Sequence, residues 1–337
     1  MIGCAAILLS TIGSGCKGST IFPALMTWHD PMQSEHSPLR ADTALVPLGK
    51  SGVAVFPLAW GMWRLARPDG LDDIGAIIAR IEAAIEAGIT LFDTADIYGA
   101  GEPIGFGGAE ALLGKALAQR PDLRAKMVIA TKGGIWPGWP YNSGVDYLTS
   151  AIDASLTRLG MECVDLYQIH RRDFLTHPRD VALALTHMVE AGKARAIGVS
   201  NYSAAETEAL QAFLPFPLAT TQPEFSAACW QPLYDGTLDQ AMARQMTTLA
   251  WSPLGGGRLA DGQHPAARAL ANQGAKFGVD AAAASLSWIM AHPAKIVPIV
   301  GSQTPERILQ SRDAFKIEWT RNEWYAVLEA SRGERMP

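Results

Sequence analysis

The stretch IGAIIARIEAAIEAGITLFDTA, residues 74–95, contains one helix followed at once by one strand. Ile74, Ile77, Ile78, Ile81 and Ile85 recur at the three- and four-residue spacing that lines one face of a helix. Gly88 ends that pattern, since glycine closes a helix in a left-handed conformation that other side chains resist. TLFDTA (90–95) is then too short for another helix and reads as a buried strand.

Working outward, the same alternation recurs. The predicted strands are VFPLAWG (55–61), TLFDTA (90–95), MVIATK (127–132), VDLYQIH (164–170), ARAIGVS (194–200), LATTQPE (218–224), TTLAWSP (247–253) and IVPIV (296–300). Helical patterns cover 74–88, 108–120, 147–160, 178–192, 204–213, 237–245, 281–293 and 304–315. Eight strand–helix units form an α/β chain with a parallel sheet, and eight such units close naturally into a TIM barrel. An open doubly wound sheet has the same periodicity, and spacing alone does not separate the two. Residues 264–278 read as an extra helix after strand seven, and 321–333 as a C-terminal helix.

Composition bounds the function. The 337 residues are 48% hydrophobic, ample for one large core. Lys plus Arg number 28 against 33 Asp plus Glu, and no basic block marks a nucleic-acid partner. Cys4, Cys16, Cys163 and Cys229 form no CxxC pair; they read as free thiols in a reducing, cytoplasmic setting, with Cys163 and Cys229 as small buried residues. The apolar run at 1–16 has no Lys or Arg before Lys17 and is too short to cross a bilayer, so no membrane partner is expected. A lipid-modified Cys16 and a later start at Met26 or Met32 are alternatives. Residues 1–44 are expected to be a poorly ordered extension, with the barrel occupying 45–337.

In a barrel of this kind, chemistry sits at the C-terminal ends of strands. Those ends offer Asp93, Asp96 and Tyr98; Lys132; Gln168, His170, Arg171 and Arg172; Ser200 and Asn201; Gln222 and Glu224; and Trp251 with Ser252. A phenol ionises near pH 10, so it donates a proton at neutral pH only with help from its surroundings. A nearby ammonium favours the phenolate, and a carboxylate holds that ammonium charged. Tyr98, Lys132 and Asp93 suit such a relay, and His170 suits a role orienting a carbonyl. Each also has a plainer reading as a turn former, core tyrosine, solvated lysine or rim histidine. No HxH or other dense ligand cluster appears, so no metal is expected.

GITLFDTADIYG (88–99), followed by AEALLGKAL (109–117), resembles the aldo-keto reductase signature. LGKSGVAVFPLAWGMWRL (48–65), VDLYQIH, KARAIGVSNYS (193–203), LAWSPLGGGRL (249–259) and IVPIVGSQTPERI (296–308) resemble that family's other blocks in order. The resemblance implies a (β/α)8 barrel that reduces aldehydes and ketones with NADP(H), or NAD(H). It maps Asp93, Tyr98, Lys132 and His170 onto the catalytic tetrad, with Tyr98 as general acid, Lys132 tuning its acidity and Asp93 holding Lys132. It places Gly61, Met62 and Trp63 beside the cofactor, and Ser200, Asn201 and Gln222 on the nicotinamide carboxamide. Trp251 would stack on the nicotinamide ring, and Ser252, Leu254, Gly256 and Arg258 would cover the pyrophosphate. Gly301, Ser302 and Arg307 would grip the adenosine phosphate.

Gly301, Gln303 and the Gln310–Ser311 pair depart from the basic or Glu-Asn residues of many relatives, which bears on NADP preference but not on the tetrad. GFGGAE (105–110) and LGGGRL both fail the G-x-G-x-x-G pattern of a dinucleotide loop. Trp136, Trp139 and Tyr141, with Trp63 and Trp230, are candidates for an apolar wall around a small-molecule carbonyl substrate. A nicotinamide-binding sensor with little turnover is the competing function. A barrel hydrolase or lyase without nicotinamide is a third, and it predicts no nucleotide binding.

Overall fold

The computed structural model describes residues 38–66, 73–138 and 140–337. Expectations for the chain before residue 38, including Cys4, Cys16, Met26 and Met32, and for Trp139 lie outside the described residues. Eight parallel strands close a barrel: β4 (Ala59–Gly61), β5 (Leu91–Asp93), β6 (Val128–Gly133), β7 (Val164–Ile169), β8 (Ala194–Ser200), β9 (Thr220–Gln222), β10 (Thr247–Ala250) and β11 (Val297–Val300). Closure comes where Ile299 and Val300 of β11 pair with Ala59 and Trp60 of β4. The open-sheet alternative is thereby excluded. The short strand β1 (Leu39–Arg40) pairs antiparallel with β12 (Glu318–Trp319). Ala41 is buried beside it, so residues 38–44 contribute to the same compact unit as the barrel.

Helices alternate with the strands: α1 (Ile74–Glu86), α2 (Gly108–Gln119), α3 (Val145–Leu159), α4 (Pro178–Glu190), α5 (Ala204–Gln211) and α6 (Thr237–Arg244). The extra helix α7 (Ala267–Lys276) follows β10, then come α8 (Ala281–Met290), α9 (Pro305–Gln310) and the C-terminal α10 (Arg321–Arg332). Local chemistry sets their ends. The Asp73 carboxylate accepts the Ala76 N–H at 2.8 Å and caps α1. Gly160, at φ 66°, closes α3 in the left-handed region. Among the described residues no helix is long and apolar enough to cross a membrane.

Two sequence expectations change. The predicted first strand 55–61 is split. Ala54–Val55 forms β3 and pairs antiparallel with β2 (Val46–Pro47), and only Ala59–Gly61 joins the barrel. Pro57 lies at the break, where it has no N–H for a ladder. The predicted helix 304–315 is α9 followed by a 3₁₀ turn over Ser311–Lys316.

The period of two along each strand sorts its residues between two cores. Outward residues Phe92, Ile129, Tyr167, Ile197 and Val199 pack under the helices. Inward residues Leu91, Ala130, Leu166, Ala196, Leu249 and Val297 meet Leu48, Val53 and Val55 of the β2–β3 hairpin. The hairpin is locked to the barrel: the Gly49 N–H donates to Thr247 Oγ1 at 3.0 Å, and Thr247 Oγ1 donates to the Pro47 carbonyl at 2.5 Å. Gly49 has φ 53°, and a Cβ there would lie 2.7 Å from the Ala219 Cα, so only glycine lets the loop approach β9 this closely.

Candidate active site

One step further along the same strands, the inward positions turn polar. Leu91 is followed by Asp93, Ala130 by Lys132, Leu166 by Gln168, and Thr220 by Gln222; all four of these polar side chains are buried. Lys132 is completely buried, and its ammonium is fully committed. Nζ donates to Asp93 Oδ2 at 2.6 Å, to the Thr94 carbonyl at 2.8 Å and to the Tyr98 hydroxyl at 3.3 Å. Tyr98 reaches this point from the turn after β5, with its backbone N–H bonded to the Ala95 carbonyl at 3.2 Å. His170, just past β7, stands edge-on to Tyr98 with ring centroids 5.8 Å apart and planes at 78°. The structure therefore brings Asp93, Tyr98, Lys132 and His170 together.

The charges are ordered by burial and by this pairing. Burial opposes the Lys132 ammonium, but Asp93 and then Tyr98 outweigh it, and its pKa rises above the ordinary lysine value. Tyr98 is half-buried by surface exposure. Burial pushes its phenol up, Lys132 pulls it down, Asp93 pushes it up again, and the net direction is upward. Lys132 thus acts in the expected sense without winning. The consequence is a phenol that keeps its proton at neutral pH, as an acid must before it donates. His170 is driven well below the usual imidazole range, by burial first and then by Lys132 and Arg171. Its Nδ1 is buried with no hydrogen-bond partner among the described residues, so a second N–H there would go unanswered and the neutral ring is favoured.

Around this centre, the residues expected on the nicotinamide side form a connected shelf. Ser200 Oγ donates to the Gln222 carbonyl at 2.9 Å. Asn201 Nδ2 donates to the His170 carbonyl at 3.1 Å and to Ser200 Oγ at 3.0 Å. Asn201 Oδ1 accepts from Trp251 Nε1 at 3.0 Å. Asn201 and Ser252 both hold positive φ, 56° and 51°, a conformation that costs energy in non-glycine residues and concentrates at functional sites. Gln222 has a second task that sequence reasoning missed: its Nε2 donates to Asp93 Oδ1 at 2.9 Å. Asp93 is thereby held from both sides, and the strand-end period was the one signal that could have paired them.

The residues expected around the cofactor phosphates are more open. Gly255, Gly256 and Gly257 follow Leu254 with φ of 56°, 73° and 108°. Arg258 is exposed, with Nε donating to the Gly255 carbonyl at 2.9 Å. Arg307 is exposed on α9 and has no hydrogen bond or ion pair among the described residues. Met62 is buried, its N–H on the Asp93 carbonyl at 2.9 Å, while Trp63 is 54% exposed. A Cβ on Gly61 would meet Ile299 Cγ2 at 2.8 Å. Gln303, read from sequence only as a missing basic residue, ties this edge together: its Nε2 donates to the Gly61 carbonyl at 3.2 Å, and its own carbonyl accepts from Arg80 Nε at 2.8 Å. Ser302 is anchored through its carbonyl, which accepts from Trp60 Nε1 at 2.9 Å. Glycines that allow close backbone approach, together with two exposed guanidiniums, suit an elongated anionic ligand such as a dinucleotide.

Aromatic rings stand near the mouth. Trp136, 45% exposed, leans on Phe106 and Tyr147 at 5.5 and 5.7 Å between centroids. Tyr141 packs on the exposed Phe174, and Trp230 on Tyr234. Cys163 and Cys229 are free and half-buried rather than core residues.

A buried lysine salt-bridged to Asp93 and bonded to a tyrosine, at the C-terminal mouth of a parallel eight-stranded barrel, is the arrangement that the aldo/keto reductase resemblance implied, and the aldo/keto reductase family profile matches residues 57–332. The chain belongs to the aldo/keto reductase family. This aldo/keto reductase is 50% identical over 305 residues to the 6-dehydroglucose reductase of Novosphingobium aromaticivorans, covering 89% of this chain and 100% of the relative. It is 36% identical over 290 residues to the 6-dehydroglucose reductase of Agrobacterium fabrum, covering 83% and 95%. Among solved structures, the glycerol dehydrogenase of Gluconobacter oxydans superposes with a TM-score of 0.73 at 25% identity, over 89% of this chain and 97% of that one. The protein is an oxidoreductase of this family, whose reaction is in general carbonyl reduction.

Proposed function

We propose that this protein reduces a sugar aldehyde to the alcohol with NADPH, with Tyr98 as the general acid. The observation that carries the reading is the buried chain from Asp93 through Lys132 to the Tyr98 hydroxyl, at 2.6 and 3.3 Å. The bound nicotinamide supplies the hydride. Tyr98 passes its proton to the carbonyl oxygen, and the charge left on the phenolate is stabilised by Lys132. Asp93 keeps Lys132 charged and aimed, and Gln222 keeps Asp93 in place. Neutral His170 offers its remaining nitrogen, Nε2, to orient the carbonyl. In a water-poor site such fixed donors act strongly on developing charge.

Ser200, Asn201, Gln222 and Trp251 would hold the nicotinamide end, with Gly61, Met62 and Trp63 along its edge. Ser252, Leu254, Gly256 and Arg258 would hold the pyrophosphate, and Gly301, Ser302 and Arg307 the adenosine end. The exposed, unpaired Arg307 supports a preference for the phosphorylated cofactor. The substrate class rests on the two relatives named for 6-dehydroglucose, the nearer of them half identical over its full length. Trp136, propped by Phe106 and Tyr147, offers an apolar face to such a substrate. The barrel portion is read as one catalytic domain working in the cytoplasm.

The test follows nicotinamide absorbance with purified protein, NADPH or NADH, and a panel of sugar and simple aldehydes. Tyr98→Phe removes the proton donor and keeps the ring, so kcat should fall about 10²- to 10⁴-fold while NADPH still binds. Near-normal turnover by that variant would remove Tyr98 from the mechanism. Tight NADPH binding without turnover by the wild-type protein would leave a nucleotide sensor.

A further inference from the structure

Beneath the turn that carries Tyr98 lies a second buried polar cluster, which the carbonyl chemistry above does not use. Asp96 sits two residues before Tyr98 with no exposed surface. Its backbone N–H donates to the Lys132 carbonyl at 3.0 Å and so pins the turn to β6. Its Oδ2 accepts from the Tyr147 hydroxyl at 3.4 Å, while Oδ1 has no hydrogen-bond partner among the described residues. The hydroxyl of Tyr167, from β7, is buried and likewise without a partner. A Cβ built on Gly133 would lie 2.1 Å from the Tyr167 hydroxyl and 3.2 Å from Asp96 Oδ2. Both groups therefore converge on space that a glycine leaves free.

The neighbouring charges are already paired with each other. Glu110, fully buried on α2, accepts from Thr131 Oγ1 at 2.5 Å and from Arg158 Nε of α3 at 2.7 Å. Arg158 Nη2 also lies 2.7 Å from Glu110 Oε2 and donates to Ser155 Oγ at 3.2 Å. An ionised Asp96 would be a fully buried charge beside a carboxylate, favoured only by Arg158, the Ile97 N–H and one long hydrogen bond from Tyr147. Such a charge is costly, and two carboxylates beside a single guanidinium resist ionising together. A neutral carboxyl avoids both penalties and adds a donor to the cluster.

We propose that Asp96 is a positioning residue that works as a neutral carboxylic acid, holding the Tyr98 turn against Tyr147 and Tyr167, and that its ionisation weakens reduction. The proposal rests on the reading of Tyr98 as the proton donor. The groups facing Asp96 are Glu110 from α2, Arg158 and Tyr147 from α3, Tyr167 from β7, and Tyr98 on its own turn. Burial and then Glu110 push its carboxyl up to about 8, against the pull of Arg158, the Ile97 N–H and the Tyr147 hydroxyl. The sign for catalysis follows. Below that pH the carboxyl is neutral; above it, a new negative charge stands behind Tyr98 and makes the phenol a weaker acid.

The experiment is the pH profile of kcat for aldehyde reduction in wild type, Asp96→Asn and Tyr147→Phe, with Tyr98→Phe alongside. Wild-type kcat should fall several-fold as pH rises through about 8. Asp96→Asn cannot ionise and should lose that fall, its profile breaking only where Tyr98 itself titrates. Tyr147→Phe removes a donor that favours the carboxylate, so the fall should move to higher pH. A wild-type profile flat through this range, or a fall unchanged in Asp96→Asn, overturns the proposal while leaving the Tyr98 reading intact if Tyr98→Phe is inactive. An active Tyr98→Phe overturns both. Should Asp96→Asn not fold, the infrared band of a protonated carboxyl decides: it should vanish over the same pH range as kcat and shift upward with it in Tyr147→Phe, and its absence in wild type overturns the proposal.

Discussion

At the floor of the barrel Leu91, Ala130 and Leu166 point inward against Leu48, Val53 and Val55; two residues further along the same strands the inward positions are Asp93, Lys132 and Gln168. The backbone is continuous and the pleat identical, yet one end is a dry apolar plug and the other a buried polar layer. The floor gains stability from burial. The mouth buries a lysine and a carboxylate, which is favourable only while each keeps its partner. Holding charges out of water is a cost that the apolar end offsets, and the strands between them transmit no more than a fixed position. The floor can therefore be disturbed without the chemistry, whereas a buried charge at the mouth carries both.

Three substitutions test that separation. Asp93→Ala strands a fully buried ammonium and should do the most damage. It is expected to lower stability by about 3–5 kcal/mol and kcat by at least about 10²-fold, read by denaturant unfolding and by the reductase assay. A stable but inactive variant would mean that Lys132 does not depend on this pair. Leu166→Ala empties part of the plug and should cost about 2–5 kcal/mol, with kcat per folded molecule unchanged. A loss of kcat as deep as that of Asp93→Ala would erase the distinction between floor and mouth. Arg307→Ala, at the exposed rim, should leave unfolding unaltered and raise KM for NADPH about tenfold, roughly 1.4 kcal/mol, with NADH unaffected. Equal losses for both cofactors would argue against a phosphate grip.

Much of this was legible in the residues because it depends on short-range patterns. The isoleucine stripe of α1, the period of two in the strands, and Gly88 and Gly160 at helix ends are local signals, and all eight barrel strands were located from them. The split at Pro57 was missed because a run of apolar residues looks alike whether it forms one strand or a hairpin and then a strand. The strand ends named Asp93, Lys132 and Gln222 separately, yet the bond from Gln222 to Asp93 joins residues 129 apart in sequence. Glu110 stood inside the quoted AEALLGKAL block and Arg158 on the next helix, one strand away, yet nothing in their spacing paired them, since an ion pair between two helices has no local signal.

The sequence by itself determined the alternation of helix and strand, the inward and outward face of each strand, and which residue types stand at the strand ends, because dihedral preference and periodicity act over a few residues. Only the tertiary structure decided that the sheet closes on itself between β11 and β4, that Lys132 loses all contact with water, and that burial outweighs Lys132 in setting the Tyr98 proton. Those outcomes depend on distances between residues remote in the chain and on the exclusion of solvent, which exist only once the barrel has closed.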